Sequence, residues 1–212
     1  MMNIKEIPFF SKFNDIEIAK LDISSSINYF DKTEIIYYEG EEPKYLYVLL
    51  EGSTNIYKTN SKGKQLYIHT INAIDFLGEV AIFKKIPYPA TAECERKCKV
   101  LKIDYFNLDD DFCKKLFFCQ KLLESLYKRI LILMNVIDDG FLTSKERVIK
   151  FILENVNDFY NAKYTDIAKK LNMTPETLSR VLNKLKEAGY ISIEENHKIK
   201  IISKENLIKL SE

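Results

Sequence analysis

The hydrophobic and polar positions along the chain follow two different periods. Up to about residue 110, short apolar runs alternate with turn residues, and the runs lie at 34–38, 45–50, 55–58, 66–71 and 99–103. The segment Asn60-Ser61-Lys62-Gly63 separates two of these runs and is typical of a hairpin turn. Closely spaced runs of this kind predict an antiparallel β sandwich or barrel, preceded by a short helix at 16–21.

The next segment, residues 111–137, changes to a helical period. Apolar side chains recur at alternating spacings of three and four residues, which is the a/d pattern of a helix that packs against another helix. These positions are Leu116, Cys119, Leu123, Leu126, Ile130, Leu133 and Ile137. We therefore predict a dimer interface here; the alternative is a helix that packs only on its own domain.

Two further features of this helical segment bear on its packing. Phe112, Phe117, Leu122 and Ile132 make a second side apolar, which favours contacts on two faces. Asp138-Asp139-Gly140 interrupts the pattern, and we expect a hinge there. One face would then pack inward while the other meets a partner.

The remainder of the chain, 138–212, is predicted to be helical with a short hairpin near its end. Ser144 is expected to cap the first helix, and two further helices are expected at 165–171 and 175–188. Thr174 suits the N-cap of the last helix, and Pro175 suits its first position. Two helices joined by the short turn Asn172-Met173 and followed by a hairpin predict a winged helix-turn-helix.

The second helix of this motif carries side chains that can read base edges. Glu176, Ser179 and Arg180 share one face, because they are spaced i, i+3 and i+4. Thr174, Thr177 and Lys184 complete the predicted DNA contacts. Residues 163–190 contain six basic and three acidic side chains, a local excess suited to phosphate contacts. The alternative is that Glu176 only completes the helix cap and Arg180 is solvated.

Composition excludes several classes of protein. The formal net charge is +1 and 46% of residues are hydrophobic, so the chain is neither a polycation nor disordered. The most apolar run, 130–134, is far shorter than the ~20 residues that span a bilayer. Residues 1–10 do not resemble a signal peptide, so we expect a cytoplasmic protein with reduced cysteines and no membrane partner. No nucleophile–base pair or phosphate loop indicates an enzyme.

Arginine is rare in this chain, with 4 arginines among 32 basic residues. Each of the four is a candidate for a specific contact, because lysine cannot form the bidentate fork of arginine. They are Arg96, Arg129, Arg147 and Arg180.

Four segments in order resemble the CRP/FNR family of bacterial transcription regulators. They are residues 46–52 (LYVLLEG), 76–83 (FLGEVAIF), 90–92 (ATA) and 176–180 (ETLSR). The resemblance implies an α+β fold, with an N-terminal cyclic-nucleotide-binding-like β jelly roll at 1–110 and a dimerisation helix at 111–137. A C-terminal winged helix-turn-helix at 138–212 would bind DNA.

The same resemblance implies how the protein would bind DNA. A homodimer would recognise a palindrome with half-sites of the TTGA type, with Arg180 on guanine, Glu176 on the opposing cytosine and Ser179 on a thymine. Pro175 replaces a residue that contacts the outermost base in some relatives. An activator of this type would also contact RNA polymerase. A ligand-binding module without DNA binding is the remote alternative.

The effector is where the chain departs from the cyclic-AMP-binding members. The resemblance places the effector pocket at Gly78, Glu79, Tyr88, Pro89, Ala90, Ile132 and Leu133. Gly78-Glu79 matches the family pattern, but Tyr88-Pro89 replaces the Arg-Ser pair that holds the phosphate. Ile132-Leu133 replaces the two polar residues that touch adenine. We therefore expect a signal other than cyclic AMP.

Other cofactors are also constrained. No cysteine precedes Cys94, so an FNR-type iron–sulfur cluster is not expected. Cys94 and Cys98 have no histidine nearby, and we expect no metal site. Cys119 lies at a seam position, which leaves a redox switch as an alternative. Haem stays an alternative cofactor as in gas-sensing relatives, with His69 and His197 the two histidines of the chain.

Overall fold

The computed structural model divides the chain into two compact units, Met1–Leu133 and Met134–Glu212. Both helices and strands occur, so the predicted α+β fold class is confirmed. The residues that the structure describes are 4–105, 116–155, 163–194 and 198–210.

The described part of the first unit is mainly β structure. Two 3-10 turns, two short helices and eight strands precede the long helix. They are the turns Ile4–Glu6 and Pro8–Phe10, α1 (Asp15–Ile23), β1 (Ser25–Phe30), β2 (Ile35–Tyr37), β3 (Leu46–Glu51), β4 (Ser53–Thr59), β5 (Gln65–Asn72), β6 (Asp75–Leu77), α2 (Glu79–Lys84), β7 (Thr91–Cys94) and β8 (Cys98–Ile103).

The strands form two four-stranded sheets, in the orders β1-β8-β3-β6 and β2-β7-β4-β5. Each recorded pairing is antiparallel. Strand β3 is buried from Leu46 to Leu50 because its alternate side chains enter two different apolar clusters. Leu46 and Val48 enter one cluster, whereas Tyr47 and Leu49 enter the other. This double burial explains why the segment is apolar without alternation.

Aromatic rings fill the first of these clusters. Phe9 stacks on Phe76 with ring centroids 4.2 Å apart, and Phe10 stacks on Phe118 at 6.3 Å. Phe118 lies in α3, the long helix Leu116–Phe141, and is completely buried. The start of α3 is therefore held against the β domain by aromatic packing.

The long helix differs from the sequence prediction at its end. It continues through residues 138–140 to Phe141, so it extends beyond the predicted end at residue 137, and the hinge expected at 138–140 stays a prediction. One glycine costs a helix only about 1 kcal/mol relative to alanine. Of the predicted inward side, Leu122 packs against the cluster that contains Phe118 and Ile132 is half-buried; Phe112 and the side chain of Phe117 lie outside the described residues.

The described part of the second unit contains four helices and a hairpin. They are α4 (Ser144–Asn155), α5 (Tyr164–Lys170), α6 (Pro175–Glu187), β9 (Ile191–Ile193), β10 (Ile199–Ile201) and α7 (Lys204–Lys209). One cluster of buried apolar residues joins α4, α5 and α6, and it includes Val148, Ile167 and Leu182.

The N-cap of α4 is Thr143 rather than the predicted Ser144. The Thr143 hydroxyl accepts from the Glu146 N–H at 3.3 Å, and the Thr143 N–H donates to the Glu146 carboxylate at 2.7 Å. This reciprocal pair satisfies two backbone donors at once, which gives the threonine an advantage that spacing alone does not reveal.

Candidate DNA-recognition helix and effector pocket

Helix α6 has one buried and one exposed face. Leu178, Leu182 and Leu185 are almost completely buried, and Val181 is 8% exposed. These residues recur every three or four positions, so a single apolar stripe attaches the helix to the core. The opposite face is therefore rigidly presented to solvent.

Side chains at the start of α6 cap the helix. The Thr174 hydroxyl accepts from the Thr177 N–H at 3.2 Å and lies 3.1 Å from the Thr177 hydroxyl. Hydrogen bonds from the Glu176 N–H and the Thr174 hydroxyl lower the pKa of the Glu176 carboxyl. Three of the predicted DNA-contacting residues are thus engaged with one another at the helix terminus, and Glu176 is a carboxylate at neutral pH.

The other predicted contacts on α6 are free. Ser179, Arg180 and Lys184 are exposed, and their side chains have no hydrogen-bond or ion-pair partner within the described part of the chain. Together with Glu176 and Asn183 they line a shallow concavity of about 660 Å³. Asn183 was not identified in the sequence analysis, although it lies three residues after Arg180 and seven after Glu176.

The turn before α6 is held by its own contacts. Ala168 is completely buried, and its carbonyl accepts from the Met173 N–H at 3.0 Å. Asn172 adopts a left-handed conformation with φ of 51°. Arg147 Nη1 donates to the Leu171 carbonyl at 3.2 Å and so satisfies the end of α5. These contacts determine where α6 begins.

The predicted effector pocket contains a packed aromatic pair. The Tyr88 ring stacks on Tyr37 with centroids 4.1 Å apart, and its hydroxyl donates to the Tyr45 carbonyl at 2.9 Å. Gly78 has φ of 71°, and a Cβ there would lie 2.6 Å from Tyr88 Cε1. Burial raises the pKa of the Tyr37 and Tyr88 hydroxyls, so both rings are neutral. Glycine at 78 therefore leaves room for the tyrosine ring.

Glu79 has an arginine partner that the sequence analysis missed. Its carboxylate is completely buried and forms an ion pair with Arg129 of α3, which also donates to the Phe76 carbonyl. Burial lowers the pKa of the Arg129 guanidinium. Phe118, Leu122, Ser125 and Arg129 are spaced by four, three and four residues, and this period is the signal that could have identified Arg129 as inward-facing.

The other predicted pocket residues are dispersed. Ala90 is buried in the cluster that contains Tyr88 and Tyr37, whereas Pro89 is exposed. Ile132 is half-buried, and Leu133 is 44% exposed. The structure therefore brings together Gly78, Tyr88 and Ala90, and it turns Pro89 and Leu133 towards solvent.

The histidine and cysteine side chains show no metal arrangement. Within the described residues, no group of three or more His, Cys, Asp or Glu side chains could hold a metal ion. His69 is buried with neither ring nitrogen hydrogen-bonded, and desolvation together with Arg129 lowers its pKa to about 4. Cys94 and Cys98 are buried thiols, and burial raises the pKa of Cys94. His197 lies outside the described residues.

The predicted dimer seam is largely exposed. Leu123, Ile130 and Ile137 are 64%, 56% and 62% exposed, which is unusual for large aliphatic side chains in a row. Cys119 and Leu126 are half-buried, and the side chain of Leu116 lies outside the described residues.

Among the described helices, none is long and apolar enough to cross a membrane.

Comparison with known families agrees with this arrangement. Residues 27–110 match the family model described as a cyclic nucleotide-binding domain, and residues 146–210 match the Crp-like helix-turn-helix domain. The chain belongs to the CRP/FNR family. The two matches cover the β domain and the helix-turn-helix domain of this regulator in the order that the sequence predicts.

Individual CRP/FNR relatives have similar lengths but distant sequences. Regulatory protein YeiL of Escherichia coli O157:H7 is 24% identical over 174 residues, which are 81% of this chain and 80% of that protein. The anaerobic regulatory protein of Bacillus subtilis is 24% identical over 182 residues, with 80% and 76% covered.

Solved structures show the same fold. A CRP/FNR-family protein of Eubacterium rectale superposes with a TM-score of 0.77 at 17% identity, over 97% of this chain and 98% of that chain. FixK2 from Bradyrhizobium japonicum gives a TM-score of 0.67 at 22% identity, over 89% and 98%. The protein is thus a transcription regulator with a DNA-binding helix-turn-helix and a ligand-binding-type domain, and its family consists of regulators rather than enzymes.

Proposed function

We propose that this CRP/FNR-family regulator binds, as a homodimer, a palindromic operator with half-sites of the TTGA type. The observation that carries the proposal is the free Arg180 on the exposed face of α6. An exposed guanidinium without a partner can form the bidentate pair with guanine O6 and N7. Ser179 lies beside it and is equally free.

Glu176 is the proposed partner of the opposing cytosine. Its own N–H and the Thr174 hydroxyl lower the pKa of its carboxyl in the free protein. It is fully ionised at neutral pH and can accept from cytosine N4. Lys184 follows Arg180 by one turn and supplies a phosphate contact.

The exposed seam of α3 supports a dimer. Its aliphatic side chains face solvent, while Phe118 and Arg129 on another face of the same helix are engaged with the β domain. A second copy of the helix would remove this apolar surface from water, and a two-fold dimer matches a palindromic operator.

The proposed signal is not cyclic AMP. Glu79 is already paired with Arg129, and Tyr88 occupies the place where the resemblance puts the phosphate-binding arginine. The Arg129 guanidinium is engaged by Glu79 and by the Phe76 carbonyl, so it is not free to pair with a phosphate, and the Tyr88 hydroxyl is engaged with the Tyr45 carbonyl.

The test is fluorescence anisotropy of the full-length protein at one stated salt concentration. The probes are a duplex with two TTGA half-sites in a palindrome, a duplex with one half-site and a scrambled duplex. We expect the palindrome to bind at least tenfold more tightly than either control. Arg180→Ala should reduce the preference for the palindrome over the scrambled duplex to near unity.

Lys186→Ala is the matched control, because it removes a positive charge from another side of the same helix. This variant should bind all three duplexes more weakly by a similar factor and keep the preference. Equal binding of all three duplexes by the wild-type protein, with or without added cell extract, would contradict the proposal.

A further inference from the structure

One exposed side chain on α6 has no role in the contacts described above. Asn183 lies in the concavity beside Glu176 and Arg180, and its amide has no hydrogen-bond partner among the described residues. Asparagine carries no charge, so it adds little to sequence-independent attraction for phosphates. Its amide donor and acceptor can pair with N7 and N6 of adenine at the same time.

The helical geometry places Asn183 on the reading face. With 3.6 residues per turn, Asn183 is rotated about 60° from Arg180 and about 20° from Glu176 around the helix axis. Leu182 and Leu185, which flank it in sequence, are buried, so the backbone orientation at residue 183 is determined by the core. The side chain therefore points the same way as the residues proposed to contact bases.

The rise of the helix places Asn183 one step along the operator. It lies about 4.5 Å beyond Arg180 along the axis, and successive base pairs are about 3.4 Å apart. The resemblance places the end of α6 at Pro175 towards the outermost base, so Asn183 would lie on the side nearer the operator centre. In a TTGA half-site, the base that follows guanine in this direction is adenine.

The next residue on this face limits the contact region. Glu187 lies four residues after Asn183 and is exposed in the same concavity. A carboxylate that faces phosphates is repelled unless it accepts from a base, so the reading surface ends near Lys184. Asn183 is the last neutral side chain with hydrogen-bonding capacity before this boundary.

We propose that Asn183 is a specificity-determining residue that reads the adenine next to the guanine of each half-site. This inference rests on the proposed DNA-binding function and adds a fourth base contact to it. Arg180 and Asn183 would then read adjacent base pairs, and Glu176 would anchor the strand opposite the guanine.

The experiment is selection from a pool of palindromic duplexes by the purified full-length protein. In the pool, the guanine pair and the following pair of both half-sites are randomised. The wild-type protein should enrich adenine at the second position by roughly 5- to 100-fold over the other bases. Asn183→Ala should remove this enrichment and keep the guanine, whereas Arg180→Ala should lose the guanine.

Two further variants separate base reading from general affinity. Lys184→Ala should weaken binding to all sequences without changing either preference, because it removes a phosphate contact. Asn183→Asp, which can accept but not donate, should shift the second position away from adenine. Circular dichroism of each variant should match the wild type, since both side chains are exposed.

The possible failures can be told apart. If the wild type enriches guanine and Asn183→Ala still enriches adenine, the inference about Asn183 is wrong and the proposed function stands. A uniform loss of affinity in Asn183→Ala with unchanged preferences would also overturn it. If the wild type enriches no base at either position, both the inference and the proposed function fail.

Discussion

The interior of the β domain and the exposed face of α6 use arginine in opposite ways. The Arg129 side chain is 15% exposed and is shared between the Glu79 carboxylate and the Phe76 carbonyl, whereas Arg180 is exposed and has no partner in the described chain. Both occur in a protein that otherwise uses lysine for almost all positive charges. The same residue type therefore maintains structure in one region and is available to a ligand in the other.

This difference indicates where function can be inferred from geometry. A buried charge must be paired, because desolvation is costly, so its partner explains its presence. An exposed, unpaired arginine is solvated in the isolated protein and contributes little to the stability of the fold, so it is available to a partner from outside the chain. Arg96 is exposed and Arg147 is half-buried, and each donates to an oxygen of its own unit.

The largest expected effect comes from Arg129→Ala. It would leave Glu79 buried without a counterion, and we expect a loss of about 3–5 kcal/mol in the free energy of unfolding. Urea denaturation at neutral pH measures the loss. The double variant Glu79→Gln/Arg129→Met removes both charges and should recover a large part of it. Equal stability of all three proteins would show that the ion pair is structurally unimportant.

The next largest effect is the pH dependence caused by His69. Its pKa is lowered from 6.5 to about 4 by desolvation and Arg129, with Asp75 opposing the shift. Between these pH values, His69 is therefore protonated in the unfolded chain and neutral in the folded chain. Stability should fall by about 3 kcal/mol as pH decreases from 6.5 to 4.

The control for this prediction is His69→Asn, which lacks the titrating group. Denaturation of both proteins at several pH values between 7.5 and 4 removes the contribution of the carboxylates by difference. A wild-type curve parallel to that of the variant would show that His69 titrates normally in the folded protein.

A smaller effect is expected from Gly78→Ala. The new Cβ would lie 2.6 Å from the Tyr88 ring in a backbone with φ of 71°, so we expect a cost of about 2 kcal/mol or more. Gly40→Ala is the matched control, because Gly40 has φ of 85° with no atom near the added Cβ. It should cost about 1 kcal/mol from the backbone alone. Equal melting temperatures of the two variants would mean that the tyrosine ring moves aside freely.

The smallest effect on stability is expected from a variant of the exposed arginine of α6. Arg180→Ala should change the free energy of unfolding by less than about 0.5 kcal/mol, because the side chain is exposed and unpaired. The same variant should lose the preference for the palindromic duplex. A destabilisation similar to that of Arg129→Ala would show that Arg180 has a structural partner and would weaken its assignment to DNA.

The sequence alone was sufficient for the fold class, the family and the two faces of α6. The family was inferred from the resemblance of four segments to CRP/FNR regulators. The fold class and the two faces of α6 depend on local periods: alternating runs joined by turns, the 3.6-residue repeat of Leu178, Leu182 and Leu185, and the threonine cap before Pro175. Such patterns act between residues at most a few positions apart, so they can be interpreted without knowing how the chain folds back. The predicted end of α3 at residue 137 was too early, because a single glycine weakens a helix without ending it.

Only the tertiary structure decided which partners the buried polar groups of the β domain have. Glu79 and Arg129 are 50 residues apart, and the sequence analysis did not identify Arg129 as the partner of that carboxylate. Their pairing depends on which face of α3 lies against the sheets, and Phe118 on this face packs among the phenylalanines of the first unit. Local sequence determines which side chains share one face of a helix. Only the packed core determines which groups those side chains contact, because a buried polar group is costly unless it has a hydrogen-bond or ionic partner.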